Sequence, residues 1–198
     1  MTLSIVQVGE PVLREKARAL TRDEILGRTI QDLIRDMREA MHAAPGVGLA
    51  APQVGHALQI AVIEDRKEYH KEISREQLAQ RERRPVSFQV IINPVLTQVP
   101  APGAAPPEFY EGCLSLAGFS ALVPRARAVR VECLDERARP RVIEASGWHA
   151  RILQHEVDHL QGVLYIDRMR VRSFTSLDNW TRFWKGKTVA EIRSALER

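Results

Sequence analysis

The 198-residue chain has only two cysteines, Cys113 and Cys133, enough for one disulfide and too few for a stapled scaffold. Free thiols in a reducing compartment are therefore expected. No apolar run approaches the roughly 18 residues that a membrane-spanning helix needs, so no membrane partner is expected. The N-terminus places Glu10 and Glu15 among its basic residues, unlike a signal or transit peptide, and the mature chain is expected to begin at or near Met1. Internal repeats and a dividing linker are missing too, which excludes solenoids and points to one domain over residues 1–198. Neither sign of charge dominates: 29 basic against 25 acidic residues leave +4, too little to call for a stable nucleic-acid partner. What is present, 44% hydrophobic and 27% charged residues, is the composition of a folded globular protein.

Apolar residues recur at steps of three and four over 22–44 (Leu26, Ile30, Leu33, Ile34, Met37, Met41), predicting one amphipathic helix. Thr21 with Glu24 forms its capping box, Leu20 and Ile25 staple its start, and Pro45-Gly46 stops it. Residues 58–63 and 88–92 read as strands, and 127–134 pairs through a turn at 135–138 with 141–144. Between the first two strands, 65–85 is charged and reads as a solvated insertion with a helical piece over 74–81. Residues 99–107 hold four prolines and a glycine and must cross the surface as a loop. A second helix is predicted over 147–161, with Ser146 as N-cap and Gly162 as its stop. Thr188 and Glu191 open a basic C-terminal helix over 188–198, anchored by Trp180, Phe183 and Trp184.

The chemistry concentrates on the second helix. His155-Glu156-Val157-Asp158-His159 puts two imidazoles four residues apart, on one helix face, at a spacing that a single metal ion can bridge. Glu156, beside the first, is positioned as a base. Trp148, Ile152 and Leu160 interleave with the histidines, so this surface is expected to be buried, where a bound ion satisfies both rings. A third ligand is required. Downstream only Glu191 and Glu197 are available, both on the terminal helix and better read as solvated charges, whereas Cys113 follows the flexible Gly112 in Glu111-Gly112-Cys113-Leu114-Ser115. Cys133, in mid-strand, reads as a small buried hydrophobe. The GVGLAAPQ segment at 46–53 matches no phosphate loop and is either a tight packing turn or a substrate wall with Gln53 directing an amide donor.

Together GVGLAAPQ (46–53), EGCLS (111–115) and QHEVDHL (154–160) resemble, in order, the three signature motifs of peptide deformylases. The likeness extends to 8–13, 92–94 and 162–167. It implies an α+β fold in which the His-Glu-x-x-His helix packs between antiparallel β-sheets, and an activity that removes the N-formyl group from the formylmethionine of nascent polypeptides. It further implies Cys113, His155 and His159 as metal ligands, Glu156 as general acid and base, and Gln53 with the Leu114 backbone N–H as oxyanion donors. Val47 would contribute to the methionine pocket, and Gly48, Gly112 and Leu114 to peptide binding. Ferrous iron is the ion that the resemblance implies, with zinc, nickel or cobalt as alternatives. A bacterial cytoplasmic location and transient ribosome contact through the basic terminal helix are further expectations.

The segment Leu116-Ala117-Gly118-Phe119-Ser120 departs from many bacterial members and resembles the mitochondrial branch, so the rim of the substrate cleft does not carry over. Two other classes share these residues: a metallopeptidase, which would cleave unformylated peptides internally, and a silent binding module, which would have a broken ligand set. Here Cys113, His155, Glu156 and His159 are all intact.

Overall fold

The computed structural model describes residues 3–196. The predicted first helix is two: α1 (Arg22–Leu26), opened by the Thr21–Glu24 capping box, and α2 (Arg28–Ala43). Gly27 between them is extended (φ −70°, ψ 146°), and the break leaves Leu26 half exposed, off the apolar stripe where the periodicity had placed it. Glycine is the weakest helix former after proline, and at this position it resets the helix. The remaining stripe residues, Ile30, Leu33, Ile34, Met37 and Met41, are buried.

Seven further segments follow: β1 (Gly48–Ala50), β2 (Ile60–Asp65), α3 (Arg75–Gln80), β3 (Val86–Gln98), the pair β4 (Glu108–Cys113) and β5 (Leu116–Pro124), and β6 (Ala128–Leu134). After them come β7 (Pro140–Ser146), α4 (Gly147–Leu160), β8 (Thr175–Ser176), α5 (Leu177–Phe183) and α6 (Val189–Leu196). The strands form two antiparallel sheets, one of five strands in the order β1-β2-β3-β6-β7 and one of three in the order β4-β5-β8. The fold is α+β.

Both faces of the larger sheet are covered, which explains the unbroken apolar runs of β2 and β3. Ile60, Val62, Val90 and Ile92 pack toward α2, while Ala61, Ile63 and Ile91 pack with Ile152, Leu153 and Leu160 of α4. Strand β3 is longer than predicted because it passes Pro94 at a bulge between Ile92 and Val95. There Asn93 takes a positive φ of 51° and its side chain bonds the Leu20 N–H and C=O.

The 65–85 excursion is less solvated than its charge suggests. Asp65 is wholly buried and accepts from Arg83 Nε and Nη2, both at 2.8 Å, while Arg81 and Arg83 stack on Trp148. The helical piece within it is α3, capped by Ser74. Ser146 occupies the N-cap of α4, but its side chain makes no capping bond. Gly162 ends α4 as expected: it sits at φ +71°, and a Cβ there would meet the Arg14 carbonyl oxygen at 2.5 Å. At the C-terminus, Trp180 meets Tyr110 edge-on from α5, and Thr188 and Glu191 cap α6. Glu197 and Arg198, the end of the helix predicted over 188–198, lie outside the described residues.

Candidate metal centre

Helix α4 lies with one side on the five-stranded sheet, and its polar side carries His155, Glu156 and His159 toward the β4–β5 hairpin. The two imidazole rings stand 5.0 Å apart between centroids, nearly perpendicular. Cys113 ends β4 at the hairpin tip, with Sγ 3.3 Å from His159 Nε2. One ligand atom from each of Cys113, His155 and His159 falls within 4.8 Å of the others, so Cys113 meets two histidines that follow it by 42 and 46 positions.

Gln53 closes the site from another side. It sits in a short 3-10 turn after β1, where its Oε1 accepts from the Ala50 N–H (2.8 Å). That bond fixes the amide so that Nε2 points to Cys113 Sγ (3.4 Å) and Ser115 Oγ (3.3 Å). Packing of Gly48 against Glu156 is tighter still. A Cβ on residue 48 would lie 2.1 Å from the Glu156 carboxylate, so only glycine permits this carboxyl in place.

Burial dominates the electrostatics. It pushes the Glu156 carboxyl up to about 7, with the nearby Glu111 charge adding to the effect and His155 opposing it. Burial also draws His159 well below its ordinary value, helped by the positive charges of His155 and Arg125, which keeps the ring neutral and able to ligate. For His155 burial works in the same direction, but the Cys113 sulfur and Glu111 outweigh it and raise the ring. Glu156 Oε2 and His159 Nδ1 are buried without a hydrogen-bond partner among the described residues. A thiol and two imidazoles converging in this way are the donor set of a divalent first-row transition ion, and the site fits one.

Behind the ligands lies a network that the sequence did not announce. Glu111 Oε2 lies 3.1 Å from His155 Nδ1, and the same carboxylate accepts from Arg125 (3.0 and 2.9 Å) and Arg151 (2.6 Å). Arg125 continues to Asp158, which also accepts from Arg168 at 2.7 Å. Burial alone would raise Glu111, yet the bonds from His155 and Arg125 hold it well below the usual carboxylate range. An ionised Glu111 orients His155 through Nδ1 and would leave Nε2 for an ion. The one available signal was that Glu111 and Asp158 stand inside the two ligand motifs.

A cavity of about 490 Å³ opens onto Cys113, His155 and Glu156. Val47, Gly48, Gln53, Gly112 and Leu114 all line it. Two other residues raised by the sequence do not join the site: Glu191 is engaged in capping α6, and Cys133 is buried in β6 with its thiol pushed up by burial. Ser120 is buried opposite Thr175 and does not line the cavity, whose rim is instead formed by Ala117, Gly118, Phe119 and Leu177.

A family model described as polypeptide deformylase matches residues 2–174. The chain is 45% identical over 195 residues to peptide deformylase 3 of Streptomyces avermitilis, covering 98% of this chain and 83% of that one. It is 48% identical over 175 residues to the chloroplastic/mitochondrial peptide deformylase 1A of Arabidopsis thaliana, covering 88% of this chain. It spans 64% of the length of that plant relative and 62% of the one from Solanum lycopersicum. Among solved structures it resembles a Synechococcus elongatus peptide deformylase in complex with actinonin (TM-score 0.68, 32% identity, 98% of this chain and 84% of that one). It also resembles a Met-Ala-Ser-bound class I type b enzyme from Acinetobacter baumannii (TM-score 0.74, 27% identity, 85% of this chain and 99% of that one).

Proposed function

The chain belongs to the polypeptide deformylase family, and from that premise we propose that it is a metal-dependent amide hydrolase that removes the N-formyl group from the N-terminal formylmethionine of nascent polypeptides, releasing formate. The observation that carries this reading is the convergence of Cys113, His155 and His159 within 4.8 Å beside the buried Glu156. Those three residues would hold the ion, ferrous iron in our reading, with zinc, nickel or cobalt able to replace it. When bound, such an ion supplies Lewis acidity at the scissile formyl group.

The remaining work falls to the chain. Glu156, with its carboxyl near the pH of operation, takes a proton from the attacking water and returns it to the departing amine. Gln53 Nε2, fixed by its Oε1 bond to Ala50, and the Leu114 backbone N–H donate to the oxygen that gains charge when water adds to the formyl carbon. Because Gln53 is already anchored, it needs no reorganisation as that charge appears. Val47 walls the methionine side chain, while Gly48 and Gly112 allow the peptide backbone to approach closely. The Met-Ala-Ser peptide bound by the Acinetobacter relative supports a substrate of this kind.

Residues 1–198 act in this reading as one catalytic domain in the bacterial cytoplasm. The C-terminal helix over 188–198 makes transient contact with the ribosome, tested by co-sedimentation with and without it. No described helix is long and apolar enough to cross a membrane. Anaerobic purification with metal analysis, coupled to formate release from formyl-Met-Ala-Ser, tests the central claim. Internal cleavage of an unformylated peptide in place of formate release would make the protein a metallopeptidase.

A further inference from the structure

Two stretches of the cavity lining differ in exposure, and we call them the open and the closed lobe. One is open: Phe119 and Leu177 at its rim are 42% and 46% exposed. The other follows α4 away from Glu156, past Ile152 to Arg151, Trp148 and Arg83, and the side chains of Arg83 and Arg151 are only 9% and 4% exposed. A nascent chain continues for many residues beyond its first and must leave through the open lobe. The closed lobe therefore receives the side chain of the first residue.

For a purely aliphatic or thioether side chain this lobe is unusually rich in donors. Arg83 uses Nε and Nη2 on Asp65, which leaves Nη1 without a protein partner among the described residues. Arg151 uses Nη1 on Glu111 and the Val123 carbonyl and Nη2 on the Pro107 carbonyl, which leaves Nε without a protein partner among the described residues. Arg83 and Arg151 both face the Trp148 indole, so charged donors stand on either side of the one aromatic ring in this part of the wall. A thioether sulfur accepts hydrogen bonds weakly, whereas a sulfoxide oxygen is a strong, compact acceptor on a side chain of nearly the same length.

We propose that the closed lobe recognises a hydrogen-bond acceptor on the first side chain through Arg83 and Arg151, so that polypeptides starting with N-formylmethionine sulfoxide are substrates alongside those starting with N-formylmethionine. The inference rests on the deformylase reading and widens its substrate class to oxidised initiator residues. An apolar pocket would discriminate against the sulfoxide by about 10- to 100-fold, because the buried oxygen would lose its water without replacement. A wall of charged donors removes most of that penalty.

The test compares kcat/KM of the metal-loaded protein for formyl-Met-Ala-Ser and for the same tripeptide carrying methionine sulfoxide. The sulfoxide is expected within about threefold of the thioether, and a deficit beyond about tenfold overturns the proposal. The double variant Asp65→Asn with Arg83→Met, which removes the donor without stranding its buried carboxylate, is expected to slow the sulfoxide at least about fivefold relative to the thioether. An unchanged ratio in that variant also overturns it. Should the variant fail to fold, the wild-type ratio decides alone. If neither peptide releases formate, the deformylase reading itself falls, an outcome distinct from selective loss of the sulfoxide.

Discussion

Replacing Gly48 with alanine separates the chemistry of this site from its stability. Gly48 lies in β1 with ordinary strand geometry, so alanine meets no backbone strain there. The added Cβ, however, would fall 2.1 Å from Glu156 Oε1, 2.6 Å from Cδ and 2.9 Å from Cγ, where ordinary contact begins near 3.4 Å. The carboxyl must move by more than about 1 Å, a misplacement that costs about 10²-fold when it falls on a reacting group. General acid–base assistance as a whole contributes about 10²–10⁴-fold. We therefore expect Gly48→Ala to lower kcat by about 10²–10⁴. The carboxyl is the flexible end of its side chain and its Oε2 has no partner to lose among the described residues, so the melting temperature is expected to change little. Formate release from formyl-Met-Ala-Ser under saturating substrate, with metal content measured on the same sample, reads out the effect. A fully metal-loaded Gly48→Ala protein turning over at the wild-type rate would refute the placement of Glu156 at the reacting atoms.

Three further outcomes follow from the geometry. Glu111→Gln removes the carboxylate that orients His155 and neutralises Arg125 and Arg151; metal affinity in a chelator competition is expected to fall about 10- to 100-fold, with a stability loss of about 3–5 kcal/mol in urea. Gly162→Ala forces alanine into a left-handed turn against the Arg14 carbonyl and is expected to cost more than about 1–2 kcal/mol, seen as a lowered melting temperature. Burial alone would raise Glu108, but its bonds to Arg193 and Arg170 hold its carboxyl below the ordinary 4.5. The stabilisation it gives is thus complete above about pH 4.5 and lost as pH falls through the depressed value. Hydrogen exchange in α6 is expected to accelerate in that acid range for the wild type, whereas Glu108→Gln should show the faster exchange already at neutral pH; identical pH profiles for the two proteins would refute the linkage.

The elements that the sequence announced are those whose signals are local. The capping boxes at Thr21 and Thr188, the apolar stripe of α2 and the β6–β7 hairpin each depend on residues within a few positions of one another. Gly27 went unnoticed because the stripe runs on either side of it. The β4–β5 pair was missed because EFYEGC lacks clean alternation and its partner strand carries Gly118 and Ser120, so only the pairing reveals it. The ligand trio could be read since the ion's demand for thiolate and imidazole restricts the choice to few residues. The carboxylate–guanidinium chain from Glu111 to Arg168 could not, for charged residues are common and nothing local says which of them will be buried together.

The three proposed metal ligands come from parts of the fold that belong to different sheets. His155 and His159 ride on the helix laid against the five-stranded sheet, whereas Cys113 hangs from the tip of the three-stranded one. An ion gripped by both works as a rivet between two plates. Its loss would leave the hairpin tip to the Glu111 and Arg125 contacts and to the bonds that Ser115 and Leu114 make with Gln53, Val8 and Gln7, which links the metal economy of the cell to how readily this tip is opened and clipped by proteases.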